Sequence, residues 1–194
     1  MPNVDNVSTG KPKIGGAVYR AALGTTLPTD ATTALAAAFE EMGFISDDGV
    51  VNSNNPSTNK ILSWGGQTVL VVTTEKPDTF QLTFLESLNA NVLETVYGED
   101  NVTTGTGTIS VKANAAALDD YVYVIEMALK GGAKKRIVIP DGQLSALGDI
   151  VYKDDSAIGY GVTLTCMPDS SDNTHYEYIK AVSSSGTTTS SSTT

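Results

Sequence analysis

Short stretches of alternating apolar and polar residues recur along most of the chain. The alternation is clearest over Ile158–Met167, where every second side chain is apolar. It recurs over Thr79–Leu85, where Phe80, Leu82 and Phe84 share one side. Because successive side chains of a strand point to opposite faces of a sheet, both stretches are predicted to be half-buried strands.

Clusters of β-branched and aromatic residues between turn residues predict further strands. These are Gly15–Ala22, Phe39–Ser46, Lys60–Trp64, Thr68–Glu75, Thr106–Lys112, Tyr121–Leu129, Lys134–Ile139, Gln143–Tyr152 and an edge strand over His175–Lys180. Pro140 is expected to stop the strand before it, because proline cannot donate a hydrogen bond to a neighbouring strand. Turns are expected at Asp47–Gly49 and Gly131–Ala133.

The apolar spacing changes from two residues to three or four around Leu85. The apolar stripe that follows has helical spacing and consists of Leu85, Leu88, Val92, Leu93, Val96 and Tyr97. It predicts one amphipathic helix that begins at Glu86 or Ser87 and ends at Tyr97, just before Gly98. We expect this stripe to pack on a sheet.

Two polar segments are predicted to be loops. Ser53–Asn59 is rich in Asn and Ser around a proline, and Gly24–Ala38 is interpreted as a long loop, with a helical turn over Asp30–Ala38 as the alternative. The predicted fold is therefore mainly β. It is a β-sandwich or flattened barrel of about ten strands with one flanking α-helix.

The chain divides into three parts. Residues 1–14 are predicted to be an N-terminal arm, and residues 15–182 to be the β domain. Residues 183–194 are all Ser, Thr or Gly. Such a segment cannot bury enough apolar surface to offset the entropy of ordering it, so we expect a mobile, disordered tail.

The charge balance limits the possible partners. The chain has 22 Asp and Glu against 12 Lys and Arg, a net charge of -10. This argues against a protein that grips nucleic acid, because such proteins need clustered basic residues. The acidity fits either simple solubility or a surface that repels DNA passing close by.

Three further features bear on the compartment. Cys166 is the single cysteine, so no intrachain disulfide can form. The N-terminus lacks the basic start and apolar run of a signal peptide, and no apolar stretch approaches the ~20 residues of a membrane-spanning helix. We therefore expect a soluble protein made in the cytoplasm, with no membrane partner.

Few residues offer chemistry. His175 is the only histidine, and Cys166 lies on the apolar side of its strand, so the usual zinc site is excluded and a nucleophilic role is disfavoured. Asp47–Gly49 and Asp154–Asp155 lack the spaced oxygen ligands of a calcium loop and are interpreted as turns. We predict neither an enzyme activity nor a metal or cofactor site.

Basic residues cluster in one predicted hairpin, at Lys130, Lys134, Lys135 and Arg136. One interpretation is a solvated edge that discourages unwanted strand pairing. The other is a basic patch that meets the acidic surface of an identical neighbour, since such complementarity favours head-to-tail association.

Four passages, in their order, resemble the major tail protein (tail tube protein) of long non-contractile-tailed phages, a family related to the lambda tail tube protein. They are FEEMGFISDDGV (Phe39–Val50), ILSWGGQTVLVV (Ile61–Val72), TFQLTFLESLNANVLETVYG (Thr79–Gly98) and VIPDGQLSALGDIVYKDDSAIGYGVTLTCMPD (Val138–Asp169). Each is a pattern of strand, turn and aromatic residue. Their order and spacing carry the resemblance over roughly residues 15–180.

The resemblance implies a structural virion protein, a β-sandwich with one flanking helix whose copies form hexameric rings. In that family, sheets of neighbouring subunits join around a lumen, and rings stack head to tail along a tape-measure protein until a tail terminator stops growth. Baseplate proteins and chaperones are further partners. DNA leaves through the lumen to the host without specific binding, because an acidic wall repels phosphates.

The arm and the long loops are the predicted stacking elements, namely residues 1–14, 24–38 and 47–59. With the basic hairpin they give the candidate interface residues Lys11, Lys13, Leu27, Pro28, Asp47, Asp48, Asn54, Pro56, Lys130, Lys134, Lys135 and Arg136. Two other interpretations stay open: a secreted or surface β-sandwich for adhesion or carbohydrate binding, and the tube protein of a related injection machine. An adhesion module stays monomeric, whereas a tube protein polymerises.

Overall fold

One large antiparallel sheet organises the computed structural model of this protein, which describes residues 2–181. The tail predicted over residues 183–194 lies outside these described residues. The elements are β1 Lys11–Pro12, β2 Val18–Ala22, β3 Glu40–Glu41, β4 Val51–Ser53, β5 Ser57–Leu62, β6 Thr68–Glu75, β7 Thr79–Phe84, α1 Ala90–Tyr97, β8 Val102–Gly105, β9 Thr108–Val111, β10 Tyr121–Ala128, β11 Lys134–Leu147, β12 Tyr160–Cys166 and β13 Tyr176–Lys180.

The large sheet has the strand order β3-β2-β10-β11-β12-β7-β4, with β1 beside β10 and β13 beside β11. Two hairpins, β5–β6 and β8–β9, form separate two-stranded sheets. The described chain is thus mainly β with one α-helix, in agreement with the predicted β-sandwich class. Over residues 2–181, no helix combines the length and apolar character that a membrane crossing needs.

Helix α1 packs on the sheet and completes the hydrophobic core, as predicted for its apolar stripe. Val92, Leu93 and Val96 are buried in one cluster with the inward side chains of β7, β10, β11 and β12. The alternation predicted for β7 and β12 is confirmed, because every second side chain of these strands is buried. Burying each large aliphatic or aromatic side chain contributes about 1.5–3 kcal/mol, so this cluster is the main source of stability.

A buried arginine joins α1 to β2. Arg20 is 3% exposed. It forms an ion pair with Glu94, donates to Thr95 Oγ1 (2.9 Å) and to Glu40 Oε2 (3.2 Å), and lies 4.8 Å from the ring centre of Tyr121. These contacts satisfy a charge that would otherwise be costly to bury, and they hold the helix on the sheet.

The prediction that Pro140 ends a strand is wrong, and so is the separate strand Gln143–Tyr152. Strand β11 runs unbroken from Lys134 to Leu147. Pro140 lies at an irregularity of the β10–β11 pairing, between the Tyr123–Ile139 and Tyr121–Gly142 partners. Because a bulge leaves a residue outside the ladder, the missing N–H of proline costs little there.

The strand predicted over Phe39–Ser46 is largely wrong. Only Glu40–Glu41 pairs, with β2, and Ile45 makes an isolated bridge to Phe84. Gly43 separates the two pieces with a φ of +71°, a left-handed conformation that glycine adopts readily.

The predicted loop over Ser53–Asn59 is also wrong. Ser53 ends β4 and Ser57 begins β5, so only residues 54–56 connect the two strands. The side chains of β5 and β6 are exposed on both faces, and a strand without a buried face needs no apolar alternation. Residues 60–62 of the predicted strand Lys60–Trp64 are therefore the second half of a longer strand, and Trp64 lies in the turn that follows.

Helix α1 begins three or four residues later than predicted. Asn89 caps it, with its side-chain oxygen accepting from the Asn91 N–H at 3.0 Å. Leu88 therefore precedes the helix and is 83% exposed instead of packing on the sheet. The predicted stop at Gly98 is confirmed, since Gly98 follows the last helical residue.

Other predicted turns and loops are confirmed. Residues 24–38 form a loop, and the turn at Asp47–Gly49 is closed by the Gly49 N–H donating to Ser46 O at 3.0 Å. The strand predicted over Thr106–Lys112 is one arm of the β8–β9 hairpin. The predicted edge strand at the end of the chain corresponds to β13.

Both faces of β10 are buried. Tyr121, Tyr123 and Ile125 belong to the core, while Val122 and Val124 are buried on the opposite face. The loop of residues 24–38 lies on this second face.

Candidate functional site

The hairpin β5–β6 carries apolar side chains that no part of the described chain covers. Every residue of both strands is exposed, and the strands pair only with each other. The exposed apolar side chains are Ile61, Leu62, Val69, Leu70, Val71 and Val72. Since neighbouring side chains point to opposite faces, both faces of the hairpin are apolar. Exposed apolar surface of this kind marks an interaction site.

Trp64, the only tryptophan of the chain, stands at the tip of this hairpin with its side chain fully exposed (106%). The tip is an ordered turn. Gly66 N–H donates to Ser63 O (2.9 Å), and Ser63 N–H donates to Gln67 O (2.8 Å). Gly66 has a φ of +82°, which a side chain would disfavour. The turn therefore fixes the backbone that carries the exposed indole ring.

The hairpin leaves the body at one end of β7. Ser53 pairs with Thr79, so β5 starts close to the residue at which β7 begins, and β6 returns to the same point. The other end of β7 is Phe84. Six strand residues separate these ends by about 17 Å.

An apolar cavity opens at the Phe84 end. It has a volume of about 370 Å³ and is lined by residues 12–17, Glu41, residues 43–45 and Glu86. Phe44 (76% exposed) and Ile14 (99%) stand at this cavity, and Leu88 (83%) lies two residues beyond Glu86. We call these three exposed side chains and the cavity the Phe44 patch.

A buried ion cluster fixes the N-terminal arm and the 24–38 loop to the sheet. Glu126 accepts from Lys13 and from Arg136, whose Nε–Oε1 distance is 2.9 Å. Arg136 also donates to the carbonyls of Asp30 (2.6 Å) and Thr33 (2.8 Å). Burial opposes ionisation of Glu126, but the hydrogen bonds from Lys13 and Arg136 outweigh it and hold its pKa below the ordinary value.

The predicted interface residues lie in different surroundings. Arg136 is buried in the ion cluster, and Lys135 is partly buried beside Glu177 (2.7 Å). Leu27 and Pro28 are half-buried in the loop. The Lys13 side chain is half-exposed. The remaining predicted residues are exposed, namely Lys11, Asp47, Asp48, Asn54, Pro56, Lys130 and Lys134. Asn54 and Pro56 stand at the base of the β5–β6 hairpin.

Sequence reasoning missed the apolar surfaces themselves. Thr68–Glu75 has the β-branched composition of a core strand, and nothing in its pattern indicates exposure on both faces. Trp64 beside two glycines was the available signal, because a large aromatic residue in a tight turn has little chance of burial. Phe44 and Leu88 were assigned to regular elements, but β3 ends before Phe44 and α1 begins after Leu88.

The two side chains considered for chemistry, His175 and Cys166, both make contacts that belong to the fold. His175 Nδ1 lies 2.5 Å from the buried carboxylate of Asp78. Burial raises the pKa of the Cys166 thiol to about 12, so the thiol stays protonated at neutral pH. Within residues 2–181, His, Cys, Asp and Glu form no group of three or more that could hold a metal ion.

The described chain is thus a folded body with exposed apolar surface at two places, the β5–β6 hairpin and the Phe44 patch. A family model described as "Phage tail tube protein" matches residues 8–188, most of the chain. No curated protein matches it.

Proposed function

The chain belongs to the phage tail tube protein family, and from this membership we propose that its copies form stacked hexameric rings, the hollow tube that delivers DNA to the host. A tail tube protein is a structural component of the virion that assembles with copies of itself and with other tail components. The observation that carries the proposal is the β5–β6 hairpin, whose two apolar faces are exposed in the single chain.

Stacking follows from the energetics of this hairpin. A two-stranded hairpin with no packed face is marginally stable by itself in water. Its apolar side chains are 42–61% exposed over Val69 to Val72. Contact with a neighbouring subunit removes this surface from water at about 25 cal/mol per Å². The contact therefore stabilises both the hairpin and the assembly.

Lateral contact within a ring is supported by free strand edges. Strands β1 and β13 flank the β10–β11 pair, and each pairs on one side only within the described residues. An unpaired edge exposes N–H and C=O groups that a neighbouring strand can satisfy. Pairing of such edges around a ring yields the β-lined lumen.

The net charge of -10 suits a conduit for DNA. A wall that carried clustered Lys and Arg would hold the duplex through many phosphate contacts, whereas an acidic wall lets it slide. The further partners in this proposal are the tape-measure, tail terminator and baseplate proteins of a long non-contractile tail. The chain is made in the host cytoplasm, and its role is structural without catalysis.

The family match favours this function over an adhesion module, and sedimentation velocity tests it. The wild-type chain is expected to form large particles as its concentration rises. The double variant Val71→Thr/Val72→Thr keeps the strand shape but places a hydroxyl group on each hairpin face, so it should need about tenfold more protein to assemble. The control is Val151→Thr, at an exposed site outside the hairpin and outside the predicted stacking segments. A wild-type chain that stays monomeric at every concentration contradicts the proposal.

A further inference from the structure

Trp64 and the Phe44 patch lie at opposite ends of β7, and neither is used by the fold of a single chain. The tip belongs to the hairpin that leaves at Thr79, and the cavity opens where Ile45 bridges Phe84. A protruding group at one end and a recess at the other form a heterologous pair, which repeats along a filament instead of closing into a dimer.

The cavity has the size and lining that an aromatic side chain requires. Its volume of about 370 Å³ lies in the range of ≈ 300–1,000 Å³ for pockets that accept small-molecule-sized groups. Its lining is mainly apolar. Gly43 lets the Glu86 carboxyl group lie against the backbone of the wall, since a Cβ there would stand 2.0 Å from the carboxyl carbon of Glu86.

Two carboxylates in its wall make the cavity suited to an occupant that donates a hydrogen bond. Glu41 and Glu86 contribute to its wall. Glu86 accepts from the Phe44 N–H (3.0 Å) and from the Asn89 side chain (3.0 Å), which leaves acceptor capacity on its two oxygens. An indole ring offers a large apolar surface and one N–H donor with no acceptor, so it fits this lining.

We propose that Trp64 of one subunit inserts into the cavity of the Phe44 patch on a second copy, the next along the tube. This inference rests on the proposed self-assembly and adds the receptor of the hairpin tip. The turn orders the backbone around Trp64 before contact, which lowers the backbone entropy lost on binding. A buried aromatic anchor in a pocket is the usual energetic centre of a protein interface.

Cysteine cross-linking tests the pairing of the two ends. Gly65→Cys places a thiol beside the intact Trp64, where a Cβ meets open space, and Ser87→Cys places one beside Glu86. With a short bifunctional maleimide, the double variant should give a ladder of multimers and a mixture of the two single variants should give dimers. Each single variant alone should stay uncross-linked, and so should the wild type, because Cys166 is buried. Dimers of Gly65→Cys alone would overturn the proposal in favour of tip-to-tip contact.

The fluorescence of the single tryptophan gives a second readout. On assembly of the wild type, the emission of Trp64 should shift to the blue and become protected from acrylamide. Phe44→Asp should abolish this shift, whereas Val151→Asp, at an exposed site away from the cavity and from the predicted stacking segments, should preserve it. Trp64→Ala should raise the concentration needed for assembly about 30-fold.

The outcomes separate the two proposals. If the wild type assembles while Trp64 stays exposed and the double cysteine variant gives no ladder, this pairing is wrong and the tube function stands. If the wild type never assembles, the tube function fails, and the pairing fails with it. Blue-shifted Trp64 emission from the monomer, before any assembly, would instead indicate that residues of the same chain cover the hairpin tip.

Discussion

Asp78 is the residue on which several segments of the body converge. Its carboxylate accepts from Asn52 Nδ2 (2.8 Å) and Thr174 Oγ1 (2.6 Å) and faces His175 Nδ1 (2.5 Å). Its carbonyl accepts from the Cys166 N–H (2.9 Å). Through its side chain and its backbone carbonyl, this one buried residue links β4, the start of β7, the end of β12 and the approach to β13.

The stability contributed by Asp78 is expected to depend on pH. Burial raises its pKa, but the hydrogen bonds from Thr174, Asn52 and His175 outweigh burial, so the folded-state pKa lies below the ordinary value. The stabilisation is thus complete above about pH 4 and is lost as the pH falls through the folded-state pKa. Asp78→Asn should lower the free energy of unfolding by about 1–3 kcal/mol at neutral pH.

Urea unfolding across this acidic range measures the effect. The difference between wild type and Asp78→Asn should shrink below about pH 4. Asp172→Asn, at a nearby exposed position, is the control and should change little. A difference between wild type and Asp78→Asn that is the same at every pH would contradict this assignment.

Glu126 and Glu177 offer a matched comparison of a buried and a surface ion pair. The side chain of Glu126 is 5% exposed between Lys13 and Arg136, and that of Glu177 is 42% exposed beside Lys135. Glu126→Gln should destabilise the fold by about 3 kcal/mol, because it leaves the buried Arg136 cation without a counter-charge.

Thermal and urea unfolding of the two variants test this expectation. Glu177→Gln should cost at most about 1 kcal/mol, since solvent screens that pair. Equal losses for the two variants would show that the arm and the 24–38 loop are held by something other than the Glu126 cluster.

At the scale of elements, the sequence predicts strands best where one face is buried. β7 and β12 were predicted nearly to the residue because their alternation reflects a core on one side. β5 was missed in part, because an element that is exposed on both faces leaves no such pattern. β11 was divided at Pro140, since a bulge depends on the partner strand and not on the local sequence.

The candidate site, too, could be predicted only where the local sequence indicates the surroundings of a residue. The exposure of Trp64 was within reach of sequence reasoning, because tight turns seldom bury a large ring. The cavity was not, because it forms where residues 12–17, Phe44 and Glu86 meet from three distant parts of the chain. Contacts of that kind are set by the tertiary fold.

Removal of the β5–β6 hairpin should leave the body intact. Since every residue of the two strands is exposed, replacement of residues 57–75 by a short Gly-Ser loop should keep the melting temperature within about 3 °C of the wild type. Phe80→Ala, in the core strand that follows, should instead cost about 3–5 kcal/mol. Differential scanning calorimetry compares the three chains, and a large fall for the hairpin deletion would show that the hairpin packs on the body.

At the scale of the whole molecule, the two ends of the subunit differ. One end carries a protruding apolar hairpin, and the other carries a recessed apolar cavity. Under the proposed pairing, copies with such ends would join head to tail, and this arrangement would continue without a natural stop. The proposal therefore requires another protein to set the length of the assembly.

Electron microscopy of the concentrated wild-type chain is the direct test of tube formation. Stacked rings with a central channel are expected, and they should lengthen as the protein concentration rises or when virion tails are added as seeds. Dispersed monomers under all of these conditions, with no tubes even on seeded tails, would contradict it.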